Sequence, residues 1–173
     1  MAPGSEARYR VREKLAALPA QSDAVGSTPA VSGQVRFDAS GEGVTASEAR
    51  FEVDLTKLTS SESRRDNLIR TRGLQSDRFP TATFVTTEPI RLTDEDVAAL
   101  PVRISAVGDL TVHGVTKRVT IPIDAQVVGK RIELVGSHKF PLSDFDIEPP
   151  SVAGVVTVDS DATLEFRLLL EQI

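Results

Sequence analysis

Reactive side chains are few in this chain. Its two histidines are His113, inside GDLTVHGVTKRVTIPI (residues 108–123), and His138. Imidazole is the usual general base and a common metal ligand, so either could mark an active centre. Asp144, Asp146 and Glu148 form a carboxylate run that could chelate a cation if further ligands converged on it. Arg64-Arg65-Asp66 could receive an anion. Glu13 shares the phase of Tyr9 and Val11 and could pair with His138 as acid and base on a small apolar substrate. Against each stands a plainer reading. The loop acids are simply solvated, and Asp66 pairs a strand arginine to fasten a helix. His138 is a packed histidine on an inward strand face. There is no cysteine, which excludes thiolate catalysis, disulfides, zinc–cysteine sites and iron–sulfur clusters. No G-x-S-x-G elbow, phosphate loop or dinucleotide fingerprint is present. No residue is therefore assigned a catalytic or metal-binding role.

The elements that must carry these side chains are strands. Between residues 156 and 170, Val156, Val158, Ala162, Leu164, Phe166, Leu168 and Leu170 fall on even positions, and Thr157, Asp159, Asp161, Thr163, Glu165 and Arg167 on odd ones. That period of two marks a long half-buried strand. Residues 102–112 repeat it, as do shorter runs around Tyr9, Val35, Phe51 and Phe84. If His113-Gly114 is a two-residue hairpin loop, Val112 opposes Val115, Thr111 opposes Thr116 and Leu110 opposes Lys117. Val119, Ile121 and Ile123 then share the apolar face, and His113 is the tip of a hairpin. The spacing predicts eight strands near 8–15, 29–38, 44–55, 81–90, 101–112, 115–128, 130–140 and 154–170. One helix over about 60–72 starts at a capping box, Thr59 to Glu62, and stops at Gly73. A short helical turn is expected in 93–100. Residues 141–154 form the longest irregular stretch.

Sequential antiparallel strands with one apolar face favour closure into a barrel, which removes exposed edges. The expected fold is an all-β, eight-stranded antiparallel barrel with the helix capping one end, as one domain over residues 1–173. Small residues on the inward face (Gly33, Ala49, Ala82, Ala106, Gly108, Gly136, Ala162) alternate with phenylalanines. They either let large neighbours interdigitate or leave a tube.

Among 173 residues, 40% are hydrophobic and 26% charged, with a net charge of −5. No stretch clusters Lys and Arg with aromatics, which argues against a nucleic-acid groove. No run approaches the roughly 18 apolar residues of a membrane span. MAPGSEARYR has no signal-peptide profile, although APGS resembles the stub left by a cleaved leader or anchor. Residues 1–7 are expected as a disordered or trimmed stub, and the protein either as exported (periplasmic, cell-envelope or extracellular), with its leader or anchor absent from this sequence, or as cytoplasmic.

RRDNLIRTRGLQSDRFPTATF resembles the R-D-x-x-[LI]-R…F-P-x-x-[TF]-F segment of the YceI-like family, and GDLTVHGVTKRVTIPI its G-x-L-T-[IV]-x-G-[VI]-T-[KR] hairpin. FPLSDFDI and VTVDSDATLEFRLLLE sit where that family has its last loop and closing strand. The resemblance covers about Gln34 to the C-terminus. It implies a lipocalin-like barrel that binds a long polyisoprenoid, a quinone tail or an isoprenoid alcohol. The implied protein is often dimeric, meets a membrane transiently and needs no cofactor. On that reading the tail would lie against Val11, Phe37, Phe51, Val53, Phe84, Ile104, Leu110, Val119, Ile121, Leu134, Phe140, Leu164 and Phe166. His138 would be a polar candidate at a mouth.

Overall fold

A computed structural model describes residues 1–17, 20–150 and 155–171. The strands are β1 (Glu6–Leu15), β2 (Gln21–Thr28), β3 (Val31–Asp38), β4 (Val44–Asp54), β5 (Thr59–Ser60), β6 (Thr81–Thr86), β7 (Ile90–Leu92), β8 (Val102–Val112), β9 (Val115–Val128), β10 (Arg131–Pro141) and β11 (Val156–Leu170). Among the described residues two α-helices, α1 (Ser63–Thr71) and α2 (Asp94–Ala98), and two 3-10 turns, Leu55–Lys57 and Leu142–Phe145, interrupt them. The strands form one antiparallel sheet in the order β3-β4-β6-β8-β9-β10-β11-β1-β2-β5, with β7 on β4. The sheet curls into a half-barrel of the lipocalin-like type. β2 and β3 follow one another in the chain, joined only by Pro29 and Ala30, yet lie near opposite ends of the strand order. That short link draws the two ends of the sheet together.

Among the described residues the strand number is eleven rather than eight. β2, in QSDAVGST, has too few apolar residues to show alternation, and it forms because β1 offers a free edge that it pairs from Ala7↔Thr28 to Lys14↔Gln21. β5 and β7 are two- and three-residue strands recruited by β2 and β4. The long strands match their expected spans. The β8–β9 register runs Val112↔Val115, Thr111↔Thr116, Leu110↔Lys117 and on to Val102↔Ala125. His113 (φ 52°) and Gly114 (φ 77°) both take the left-handed conformation of a two-residue hairpin turn. The irregular stretch after β10 is described as far as Pro150. Its last four residues, and the first residue of the strand expected from 154, lie outside the described residues.

α1 is shorter than the 60–72 expected, and its capping box is not made. Thr59 and Ser60 are drawn into β5, Glu62 takes the N-cap position with no side-chain bond, and Asp66 turns back to accept from the Ser60 backbone N–H (2.9 Å) and hydroxyl (2.6 Å). Strand pairing overrode the local capping signal. The capping box lies instead on α2, where Thr93 and Asp96 satisfy each other's backbone N–H groups.

Residues 1–7, expected to be disordered or trimmed, are held in place. The Ala2 N–H donates to the Leu169 carbonyl (2.7 Å), and the Leu169 N–H donates to the Ser5 hydroxyl (3.0 Å). β1 already begins at Glu6. This segment covers the outer face of β11, so Leu169 is buried although it has the outward phase.

The core has two parts. Ala106, Ile121, Ile123, Ala125, Leu134, Leu168 and Leu170 form one cluster, and Leu110, Val112, Phe140, Leu142, Phe145, Ile147 and Ala162 the other. Phe145 anchors the second: it is 1% exposed, meets Phe140 edge-on at 5.0 Å, and its carbonyl accepts from the His113 ring at 3.1 Å. Truncating a large, fully buried aromatic costs about 3–5 kcal/mol, whereas exposed positions shift stability by about 0.5 kcal/mol or less. Urea unfolding should therefore show Phe145→Ala destabilised by about 3–5 kcal/mol, and Phe37→Ala, at a 44% exposed site, nearly unchanged.

Candidate functional site

The inward faces of the strands enclose a cavity of about 1540 Å³. Its wall runs from Arg36, Phe37 and Ala39 at the β3–β4 hairpin to α1 and the end of β1. The two readings of the small inward residues divide by residue type. The glycines seat aromatic rings: a Cβ on Gly33, Gly108 or Gly136 would lie 2.5 Å from a ring atom of Phe51, Phe84 or Phe166 respectively. The alanines, Ala49, Ala82, Ala106 and Ala162, line the space. Rings pressed flat on glycines narrow the wall locally, and alanines between them keep the middle open.

Of the expected inward residues, Val11, Phe37, Phe51, Val53, Phe84, Ile104, Leu110, Ile121, Leu134, Phe140, Leu164 and Phe166 all reach the cavity wall. Two do not. Val119 is half-buried and packs between the two core clusters. His138 stacks on Phe140, with ring centroids 5.9 Å apart, and lies off the wall. Lining residues from α1 and the loop after it, Leu68, Ile69 and Leu74, escaped sequence reasoning. Their signal was faint, because two adjacent apolar residues on an otherwise polar helix show no stripe.

The acid–base alternative does not survive the register. Glu13 pairs with Val158 and His138 with Leu164, six residues further along β11. At about 3.3 Å per residue that is roughly 20 Å, far beyond hydrogen-bond reach. Glu13 does face inward, but its partner is cationic: Arg65 Nη2 donates to Glu13 Oε1 at 2.7 Å. The expected helix-to-strand ion pair thus exists with its polarity reversed. The arginine is on α1 and the acid on β1, and Asp66 is taken by Ser60.

Around this pair the wall is polar. Arg65 Nη1 also donates to the Ser60 hydroxyl at 3.3 Å. Tyr9 is a cross-strand partner of Gly26, which pairs in turn with Ser60, so the three sit in one row over β1, β2 and β5. Burial, opposed by the nearby Arg65 charge, pushes the Tyr9 phenol up to about 12. It is a neutral donor at any physiological pH. A second cavity of about 220 Å³ shares Tyr9, Leu55, Leu58 and Ile69 with the main one.

The other candidates are structural. His113 Nδ1 faces a carbonyl, which can only accept, so that nitrogen carries the proton, and the ring packs edge-on against Phe79 at 4.5 Å. Asp144, Asp146 and Glu148 are exposed between the buried anchors Leu142, Phe145 and Ile147. Among the described residues no three His, Asp or Glu side chains gather as a metal site.

A curled antiparallel sheet around a large, mainly apolar interior, with a helix contributing to one end of the wall, defines a lipocalin-like fold. The chain belongs to the YceI-like domain family, which it matches over residues 4–170. It is 33% identical over 143 residues to a UPF0312 protein of Vibrio parahaemolyticus, covering 78% of this chain and 69% of the relative. A UPF0312 protein of Vibrio vulnificus is 29% identical over 123 residues, covering 67% of this chain and 61% of the relative. The chain spans about two thirds of the length of each of these relatives. Among solved structures, a polyisoprenoid binding domain from Saccharophagus degradans superposes with a TM-score of 0.72 at 16% identity, covering 99% and 96% of the two chains. BcnA of Burkholderia cenocepacia does so with 0.67 at 18% identity, covering 95% and 96%. At these identities the likeness is one of fold.

His138 leaves a trace that can be measured. Burial holds its imidazole below the ordinary value of 6.5, against the smaller pull of Asp144. A lowered folded value means that the unfolded chain takes the proton first. Stability is then intact above pH 6.5 and is lost as pH falls from there through the folded value. Denaturant unfolding between pH 8 and pH 5 should show this slope in the parent protein and a flatter profile in His138→Gln. Equal slopes would mean that His138 is freely solvated.

Proposed function

We propose that this protein is a non-catalytic carrier holding a long-chain isoprenoid lipid, of quinone or polyprenol type, in its barrel interior. The observation that carries this reading is the cavity, about 1540 Å³ and walled mostly by Val, Leu, Ile, Phe and Ala. Drug-sized ligands occupy about 300–1,000 Å³, so the space suits something longer. Membership of the YceI-like family supports the reading, as does the Saccharophagus neighbour described as a polyisoprenoid binding domain.

The energetics favour long tails. Each buried CH₂ contributes about 0.8 kcal/mol, so a tail of about 20 carbons gains roughly 16 kcal/mol gross. Association and ordering cost on the order of 4–15 kcal/mol. Short prenyl groups are left near break-even, and longer ones bind usefully. Selection by length therefore follows from the reach of the apolar wall. Phe37, Val97 and Val127 are exposed at the cavity rim, where a tail would meet the protein on leaving a bilayer.

Solvent extraction of the purified protein followed by mass spectrometry should recover a long-chain prenyl lipid. Delipidated protein should bind prenyl probes with affinity that rises with tail length. Ala46→Leu together with Ala82→Leu, at half-buried positions of the cavity wall, should weaken long-tail binding at least tenfold without loss of fold. Failure both to recover and to bind any prenyl lipid would overturn the carrier.

A further inference from the structure

Large apolar side chains are left in water at one end of the barrel more than anywhere else. Among the described residues six large hydrophobics are exposed, and four of them, Phe37, Val97, Val127 and Val128, belong to three neighbouring chain tips. The strand registers place these tips at one end. Phe37 lies across from Ala46, and Ala46 across from Ile90, so the end of β3, the start of β4 and β7 share a level. α2 follows β7 and is tied to the β3–β4 turn, where the Asp94 carboxylate accepts from the Gly43 N–H at 3.1 Å. The chain then enters β8 at Val102, across from Ala125, just before the β9–β10 turn. α1 belongs to the opposite end. It meets β1 at Glu13, which pairs with Val158 near the start of β11, whereas Leu170, at the end of β11, faces Ile132 beside the β9–β10 turn. Phe37, Val97 and Val127 also line the cavity, so the exposed tips frame its edge. The other two exposed residues stand apart, Val135 on the outer face of β10 and Val155 ahead of β11.

We propose that these three tips are a membrane-docking rim, which sets the cavity edge against a bilayer of zwitterionic lipid so that a tail passes between bilayer and barrel without crossing water. This deepens the carrier reading and rests on it. Clustered exposed apolar surface marks a place of contact. A protein partner would have to span tips that stand on separate elements around the edge of a cavity. A bilayer is fluid and accepts each apolar side chain where it stands. Charge selects the kind of bilayer. Two ion pairs, Arg36–Glu48 and Arg131–Glu171, cancel locally. Beyond them the tips carry the carboxylates of Asp38, Glu42, Asp94, Glu95 and Asp96. Against these stand Arg91 and Lys130. That excess of carboxylates is repelled by the negative potential of an anionic surface, which recruits basic segments instead. Choline and ethanolamine head groups present an ammonium to water and carry no net charge, which suits the rim. Lys130, beside the exposed valines, can lay its methylenes along them and keep its ammonium at the head-group level.

The test is flotation of delipidated protein with phosphatidylcholine vesicles and with vesicles containing phosphatidylglycerol, beside titration of a fluorescent prenyl probe in solution. The parent should float with phosphatidylcholine and bind the phosphatidylglycerol vesicles more weakly. Phe37→Gln and Val128→Gln should each weaken vesicle binding about three- to tenfold, as expected for losing one partly buried apolar side chain. Val135→Gln, at a comparably exposed site away from the rim, should change nothing. Val128 is off the cavity wall, so Val128→Gln should keep the parent's affinity for the prenyl probe. If the parent binds the probe but no vesicle, or Val135→Gln weakens docking as much as Val128→Gln, the rim is overturned while the carrier stands. Tighter, salt-sensitive binding to phosphatidylglycerol vesicles overturns the zwitterionic assignment. Sedimentation in which the parent dimerises and Val128→Gln does not would make the tips an interface between copies and overturn the membrane contact. If vesicles bind but the probe does not, the carrier reading falls, and with it the passage of a tail across the rim.

Discussion

Every long strand of this protein has one face that must leave water, and no second layer covers it. The sheet solves this by curling until its apolar face looks at itself, across a space too wide for the side chains to fill. Ordinary interiors are packed like organic crystals, and this one is not. Its walls, mostly Val, Leu, Ile, Phe and Ala, favour hydrocarbon over water.

How the curl is held explains several details elsewhere. The ends of the sheet are joined by Pro29 and Ala30 rather than by a continuous ladder. α1 and the 3-10 turn at Leu142–Phe145 close the end where strands separate. Past Gly136↔Ile123, β10 leaves β9, and Leu142 and Phe145 fill the gap, tied to the β8–β9 turn through His113. The chain's two histidines both sit at this seam, one on the turn and one stacked on Phe140. They are placed where neighbouring strands part company, which is a packing duty.

The lid is fastened differently. α1 has little apolar surface, and it is tied to the barrel by the Glu13–Arg65 pair, largely withdrawn from water, and by Asp66 on Ser60. A buried ion pair is a poor source of stability because desolvation consumes most of the attraction, but breaking one is costly. Such a pair fixes where a helix sits. Here it also fixes the guanidinium beside Tyr9, so the tie and the polar corner of the cavity are the same group of atoms.

Much of this was legible in the chain itself. Period-two alternation located the long strands, the His113-Gly114 turn set the β8–β9 register to the residue, and phase alone brought twelve inward side chains to the cavity wall. These succeed because side-chain direction in a strand is decided by the backbone pleat within one or two residues. β2, β5 and β7 were not legible, since they exist only where a neighbouring edge supplies half of their hydrogen bonds. The same holds for the reversed ion pair and for the burial of Leu169 beneath residues 2–5, which depend on groups far apart in sequence. Whether the small inward residues leave a hollow was likewise decided by cross-strand geometry. A glycine and an alanine look equally small in a sequence, and only the ring lying on one and not on the other separates wall from lumen.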